Sequence, residues 1–465
     1  MGLLVLALPC LLISMDASVL DLAVVPISAD LRPSGTELLW IVDVYGFVLA
    51  GSLITMGTLG DLIGRRRLLL AGAAAFGAAS LLAAFAVSPA MLIAARALLG
   101  VAGATLMPST LSLIRNMFED PGQRTRAVGI WLASLSLGGA AGPVLGGLLL
   151  QVAWWGSVFL LAVPVMALLL ALAPVLVPES RDPDPGRLDV AGAGLSLASV
   201  LTLIYGLKHL ALGDAGAPAV AALAAAAVCG AAFVRRQRLI DLSLFRNPVF
   251  SGALGANLLG FCVLFGVGLF TVQYMQSVLG MSPLGAGFWM LPSFAAFMAG
   301  STLTPRVARS VRLAPLLAGG LAVAAAGFAA LVLVRAGSGL AIIAAGSAVF
   351  SLGLSPVFTL STTTAIGAAP AERAGAAAGV SETSTELGAA LGIAILGSIG
   401  TAVYRARLRE GAPDTIGAAV GHGGPLLEAA REAFTAGLQA VAATSAVLAA
   451  VMAVAVLLLL RRQRA

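Results

Sequence analysis

GTLGDLIGRRRLLLAGAAAFGAASLLAAFAV, Gly57 to Val87, reads as the end of one helix, a tight basic turn, and a second helix of small apolar residues. After Arg67 the chain runs to Val87 without a charge, about the length that crosses the hydrocarbon core of a bilayer. The same order returns in GSTLTPRVARSVRLAPLLAGGLAVAAAGFAALVLV, Gly300 to Val334. There Arg306, Arg309 and Arg312 stand in the turn, but nothing replaces Asp61. Such an echo suggests two related helical bundles, an arrangement that in transporters places the site between the halves near mid-membrane.

Composition sets the same frame. Of 465 residues 60% are hydrophobic and 10% charged, and the mean hydropathy is +1.02. This excludes a soluble domain and predicts an all-α polytopic membrane protein. Apolar runs bounded by charges or Gly/Pro predict about fourteen spans. The expected layout is a six-helix bundle over 1–180, a two-helix insertion over 181–246, and a second six-helix bundle over 247–465. An outer segment falls near 405–435, where PLLEAAREAFTAGL from Pro425 is either an interfacial helix or an amphipathic continuation of the last span.

If the first helix enters from the cytoplasm, nineteen of the 27 basic residues fall in inner loops and seven in outer loops. That bias predicts both termini inside. The start, MGLLVLALPCLLI, lacks a basic lead-in and a small-residue cleavage site, and reads as a first span rather than a signal peptide. Cys10, Cys229 and Cys262 lie in apolar stretches, and His209 and His422 are far apart, so neither disulfide nor metal site is expected. Most of the five Trp residues are expected to be interfacial anchors.

Against this background five carboxylates stand out: Asp16, Asp21, Asp43, Glu382 and Glu386. An acid at mid-bilayer costs about 2.5–3.5 kcal/mol on insertion scales, so such groups usually face a cavity and work there. Asp16 lies about mid-span, and a structural pairing with Arg96, the sole base inside a helix, is its alternative role. Asp21 is five residues on, about 140° round the helix, and so lies on another face. It lines a vestibule or hydrogen-bonds a neighbour. Asp43 follows Trp40 in the second helix, either as a working acid or as an interfacial one. Glu382 and Glu386 are one turn apart on one face, which disfavours double ionisation. Phe261, Phe265, Phe270 and Tyr274 in the ninth span are pocket candidates that could stack on flat cations, or else core residues.

Several segments carry a family resemblance. GTLGDLIGRRR resembles the signature between the second and third helices of the major facilitator superfamily. AARALLGVAGA, with Arg96, is similar to its fourth-helix motif, and LGGAAGPVLGG (Leu137 to Gly147) to the fifth-helix motif of its antiporters. MDASVLDLAV, LWIVDVY, LMPSTLSLIRNMF and SETSTELG resemble the fourteen-helix drug:H⁺ antiporter branch, the quaternary-ammonium and dye exporters of Gram-positive bacteria and actinobacteria. Three departures stand out. Leu62 occupies a usually basic position, Asp21 a position usually Asn, and LPSFAAFMAG lacks the acid some relatives carry.

The resemblance implies export of lipophilic, cationic drugs, dyes and antiseptics in exchange for protons, across a bacterial inner membrane. Asp16, Asp43, Glu382, Glu386 and Asp21 would be the proton and cation groups, with Arg96 tuning one of them. Gly57, Asp61, Gly64, Arg65 and Arg66 would form a gate latch, with Asp61 meeting a helix N-terminus of the opposite half. Gly142, Pro143, Gly146 and Gly147 would shape the antiporter bend. The expected protein is not an enzyme. It would use no ATP, cofactor or metal, would contact protons, substrate and lipid but not nucleic acid, and would work as a monomer. A dedicated exporter of one self-made antibiotic would carry the same motifs. A proton-coupled importer or a membrane sensor fits less well.

Overall fold

The computed structural model describes residues 2–118, 120–181, 190–211, 216–236, 245, 247–337, 340–367, 374–408, 415–420 and 424–461. These residues form helices α1 (Gly2–Leu31), α2 (Gly35–Ile63), α3 (Arg65–Ala84), α4 (Pro89–Met117), α5 (Pro121–Val152), α6 (Ser157–Leu160), α7 (Ala162–Leu176), α8 (Val190–Ala211), α9 (Ala217–Arg236) and α10 (Pro248–Gln273). A π-helical turn, Tyr274–Val278, extends α10. Then follow α11 (Pro283–Val307), α12 (Leu313–Val332), α13 (Leu340–Gly367), α14 (Ala374–Arg407), α15 (Ile416–Val420) and α16 (Gly424–Arg461). No strand occurs among the described residues.

Helix starts follow from local chemistry. Ser34 and Glu37 form a capping box ahead of α2, each side chain taking the other's backbone N–H. Ser88, Asp120 and Asn247 cap α4, α5 and α10, and each precedes a proline at the first helical position.

Among the described residues twelve helices are long and apolar enough to cross a bilayer, and α1 makes thirteen if its bent halves count as one span, so a count of fourteen is not reached. The remaining expected span corresponds to α8, whose apolar part, Gly194–Gly206, is shorter. The chain is therefore a multi-pass membrane protein. The stretch from Pro425 is the opening of α16, so the amphipathic continuation, rather than a separate interfacial helix, is what forms.

The chain divides into two compact units, Met1–Leu201 with Ala226–Phe233 and Ser282–Phe288, and Thr202–Ala225 with Val234–Met281 and Trp289–Ala465. In the first unit α1 pairs with α5, α2 and α3 with α4, and α3 with α7. In the second, α10 pairs with α14, α12 with α13, and α12 with α16. Three pairings match between the units, α1–α5 with α10–α14, α3–α4 with α12–α13 and α3–α7 with α12–α16.

Glycine carries this pairing. A Cβ at Gly138 would collide with the Leu11 carbonyl, and one at Gly142 with the Ser18 hydroxyl, while one at Gly146 would come within 2.7 Å of Val19. In the second unit a Cβ at Gly388 or Gly392 would collide with the carbonyl of Leu258 or Cys262. Small residues at four-residue spacing let two backbones approach, which in lipid replaces the missing hydrophobic drive between helices.

Candidate functional site

The two halves of α1, Gly2–Asp16 and Ser18–Leu31, make an angle of 41°. Ser18 Oγ donates to the Met15 carbonyl at 3.0 Å, within the turn that bends. Hydroxyl bonding back into the preceding turn competes with the helix ladder and favours such a bend. Gly142 fits beside Ser18 and Met15, so the α5 glycines pack on the helix where Asp16 sits.

At the bend Arg96 of α4 donates through Nη1 to Asp16 Oδ2 at 2.6 Å. Its Nε donates to the Ile41 carbonyl of α2 at 3.3 Å, and its guanidinium lies 4.6 Å from the centroid of the Tyr45 ring. The side chain of Arg96 is 1% exposed, that of Asp16 15%. Arg96 thus holds an acid of α1 and a backbone carbonyl of α2 at once. Asp43 is buried on α2, two residues from both Ile41 and Tyr45. Asp21 is half-buried farther along α1. The arrangement can hold a fixed positive charge beside an acid that retains access to its surroundings. An arginine does not give up its proton, so any change of state falls to the acid.

Glu382 and Glu386 both lie on α14. The side chain of Glu382 is outside the described residues, and that of Glu386 is half-buried. Their polar turn packs on α10: Asn257 Nδ2 donates to Thr385 Oγ1 at 2.8 Å, and Ser384 Oγ to the Leu254 carbonyl at 3.1 Å. Asn257, 1% exposed, escaped the sequence reading; its signal was a single amide in the apolar stretch from Ala253 to Phe270.

The four aromatic candidates separate. Phe261 packs against Phe265 (centroids 6.2 Å apart) and Phe358 (4.1 Å), and Phe358 also meets Phe297 (5.8 Å). Phe261, Phe265 and Phe297 are half-buried. Phe270 and Tyr274 do not join them and serve the core instead. Phe270 stacks on Phe434 at 5.2 Å, and the buried Tyr274 donates its hydroxyl to the Arg335 carbonyl at 2.7 Å. Two of the tryptophans are buried as well. Trp131 donates to Thr110 at 3.1 Å and Trp155 to Asp30 at 2.6 Å, both from buried positions.

At the basic turn Asp61, near the end of α2, pairs with Arg65, the first residue of α3. Gly57 lies in α2 four residues before Asp61, and Gly64 adopts φ +108°, a conformation that side chains resist. Glu179, past the end of α7, lies against Gly64 and accepts the Arg66 backbone N–H at 2.9 Å. Its Oε2 is 3.8 Å from Arg66 Nε and 3.9 Å from Arg67 Nε. Arg66 Nη1 also donates to the carbonyls of Pro174 and Val177 at 3.1 Å each. Sequence reading missed Glu179, because an acid in a charged loop looks merely solvated. In α5, Pro143 is buried and Gly147 packs closely on the first turn of α11, within the same unit. No group able to hold a metal ion occurs among the described residues.

Comparison with known proteins agrees with this architecture. A family model for the Major Facilitator Superfamily matches residues 6–393. The chain is similar to the "Multidrug efflux pump LfrA" of Mycolicibacterium smegmatis, 44% identical over 97% of this chain and 93% of that protein. It is similar to the "Methyl viologen resistance protein SmvA" of Salmonella typhimurium, at 34% over 85% and 81%. It is also similar to a "Tetracenomycin C resistance and export protein" of Streptomyces glaucescens, at 34% over 85% and 74%. Among solved structures, a bacterial homolog of the human lysosomal transporter Spinster matches with TM-score 0.73 and 18% identity over 99% of this chain and 96% of that one, which bears on the fold alone. Through its helix pairing, its motifs and these matches, the chain belongs to the major facilitator superfamily, and so to the transporters rather than the enzymes.

Proposed function

We propose that this chain is a proton-coupled antiporter that exports lipophilic, cationic drugs, dyes and antiseptics across the bacterial cytoplasmic membrane by alternating access. The observation that carries the reading is the Asp16–Arg96 pair at the bend of α1. Protonating Asp16 removes its charge, so the bond to Arg96 loses its ionic part while the Ile41 carbonyl and the Tyr45 ring still hold the guanidinium. That weakens the link between α1 and α4 at the α1 bend, where a change of state can bias a change of shape. A cationic passenger and a proton then compete for the same acid. Asp43, Glu382, Glu386 and Asp21 are the further proton or cation groups.

Relatives described as multidrug efflux and methyl viologen resistance proteins support a broad substrate range, and the relative described as a tetracenomycin C resistance and export protein supports the alternative of one dedicated antibiotic. Both termini are cytoplasmic, the fourteen spans fall as two six-helix bundles around a two-helix insertion, and the protein works as a monomer. It needs no cofactor beyond the proton gradient, in which each charge moved along 100 mV supplies about 2.3 kcal/mol. Exchange of one proton for one monovalent cation moves no net charge and draws on the pH difference only.

The test is a dye and antiseptic efflux panel in everted vesicles. Collapsing the pH difference should stop export, while collapsing the voltage alone should leave it running. Export that persists with a protonophore would overturn the proposal.

A further inference from the structure

We propose that the second basic turn, between α11 and α12, holds the headgroup of an anionic phospholipid, with an acyl chain of the same lipid seated in an apolar cleft beside it. The two basic turns of the chain differ in one respect. In the first, Arg65 pairs with Asp61, and Arg66 and Arg67 with Glu179. In the second, Arg306, Arg309 and Arg312 are exposed, and among the described residues no carboxylate lies within 4.0 Å of any of them. Arg312 also stands at the start of α12 without a side-chain cap, which leaves first-turn N–H groups for an anion. Val307 and Val311, each 39% exposed, interleave the arginines, a mixture suited to a membrane interface.

Directly after Arg312 the chain enters a cleft of about 220 Å³. Gly252 and Gly255 of α10, Leu313 and Leu317 of α12, and Met452 and Val456 of α16 are among the residues lining it. A Cβ at Gly252 or Gly255 would meet nothing within 4 Å, so the α10 glycines here leave space instead of closing a helix contact. An apolar slot next to three exposed arginines, unpaired with any carboxylate among the described residues, matches a negatively charged headgroup on a hydrocarbon chain. A cationic passenger is excluded by the sign of the charge. Free phosphate would leave the slot without an occupant. Basic pockets between membrane helices bind acidic lipid headgroups on the same grounds.

The experiment uses the full-length protein in neutral detergent, titrated with phosphatidylglycerol or phosphatidylcholine of matched chains and read by native mass spectrometry. Phosphatidylglycerol should be retained over phosphatidylcholine. Arg309→Gln and Arg312→Gln should each weaken it about fivefold, the factor for one basic residue near an acidic surface. Gly252→Leu with Gly255→Leu should fill the slot and weaken lipid binding while leaving the response to inorganic phosphate unchanged. Arg335→Gln, a loss of the same charge beyond the other end of α12, should do nothing. Equal retention of the two lipids overturns the proposal, as does undiminished phosphatidylglycerol binding in the arginine variants. Full displacement of the lipid by inorganic phosphate would reduce the turn to an anion site and also overturn it. The arginines are exposed, so their variants decide the matter even if the leucine variant does not fold.

Discussion

Arg96 Nη1 and Asp16 Oδ2 meet at 2.6 Å although 80 residues separate them, and the two ends of the bond are unequally enclosed. The base is 1% exposed and the acid 15%. A pair enclosed on both sides would be a structural brace. Here the base is enclosed and the acid is the more open of the two, the asymmetry on which the proposed proton exchange at Asp16 rests.

Asp16→Asn should abolish proton-coupled efflux of ethidium-like dyes while the protein still folds, because the amide oxygen can still accept from Arg96. Arg96→Ala should instead strip a partner from a largely buried acid, lowering stability by about 3–5 kcal/mol. Thermal unfolding of purified protein beside vesicle efflux separates the two. Unchanged efflux in Asp16→Asn would remove Asp16 from the mechanism.

Gly138→Val should force α5 away from α1, since any Cβ there meets the Leu11 carbonyl. Overpacking of this kind costs about 1–3 kcal/mol. Loss of dye export, together with a lower unfolding temperature, is the expected result. Normal export would mean that α1 and α5 need not pack closely for transport.

Glu179→Gln should leave stability within about 1 kcal/mol, as for a partly exposed ion pair, yet loosen the turn that holds Arg66 and Arg67. Faster proteolysis between α2 and α3, with slower export at unchanged expression, is the expected pattern. Gly64→Ala should be more severe, since φ +108° strains any side chain.

Phe261→Ala and Phe358→Ala should reduce export of planar aromatic cations several-fold, while alkyl quaternary ammonium compounds are affected less. Phe270→Ala should lower stability without changing that preference, because its ring is committed to Phe434. A shared, unselective loss in all three variants would assign the whole set to packing.

Glu382→Gln and Glu386→Gln should differ in severity when export is measured across pH, because acids one turn apart hold a shared proton unequally. Equal and negligible effects would mark the turn as a solvated mouth.

Much of this was legible before folding. A charge among apolar residues is expensive in lipid, so Asp16, Asp43 and Arg96 declare themselves by composition alone. Span lengths and the echo between Gly57 and Gly300 have the same origin, in the thickness of the bilayer and the need to satisfy every backbone group within it. Which charge meets which was not legible. It depends on helix register and on the α1 bend, which bring residue 16 beside residue 96. The same holds for Glu179, indistinguishable in sequence from a solvated acid until α7 lays it against Gly64. It holds as well for Phe270, separated from Phe261 only by what α16 packs against it. Composition and period decide what must enter the membrane, because transfer energies belong to single residues. Partners are decided only by packing, because contact energies belong to pairs that the chain alone does not bring together.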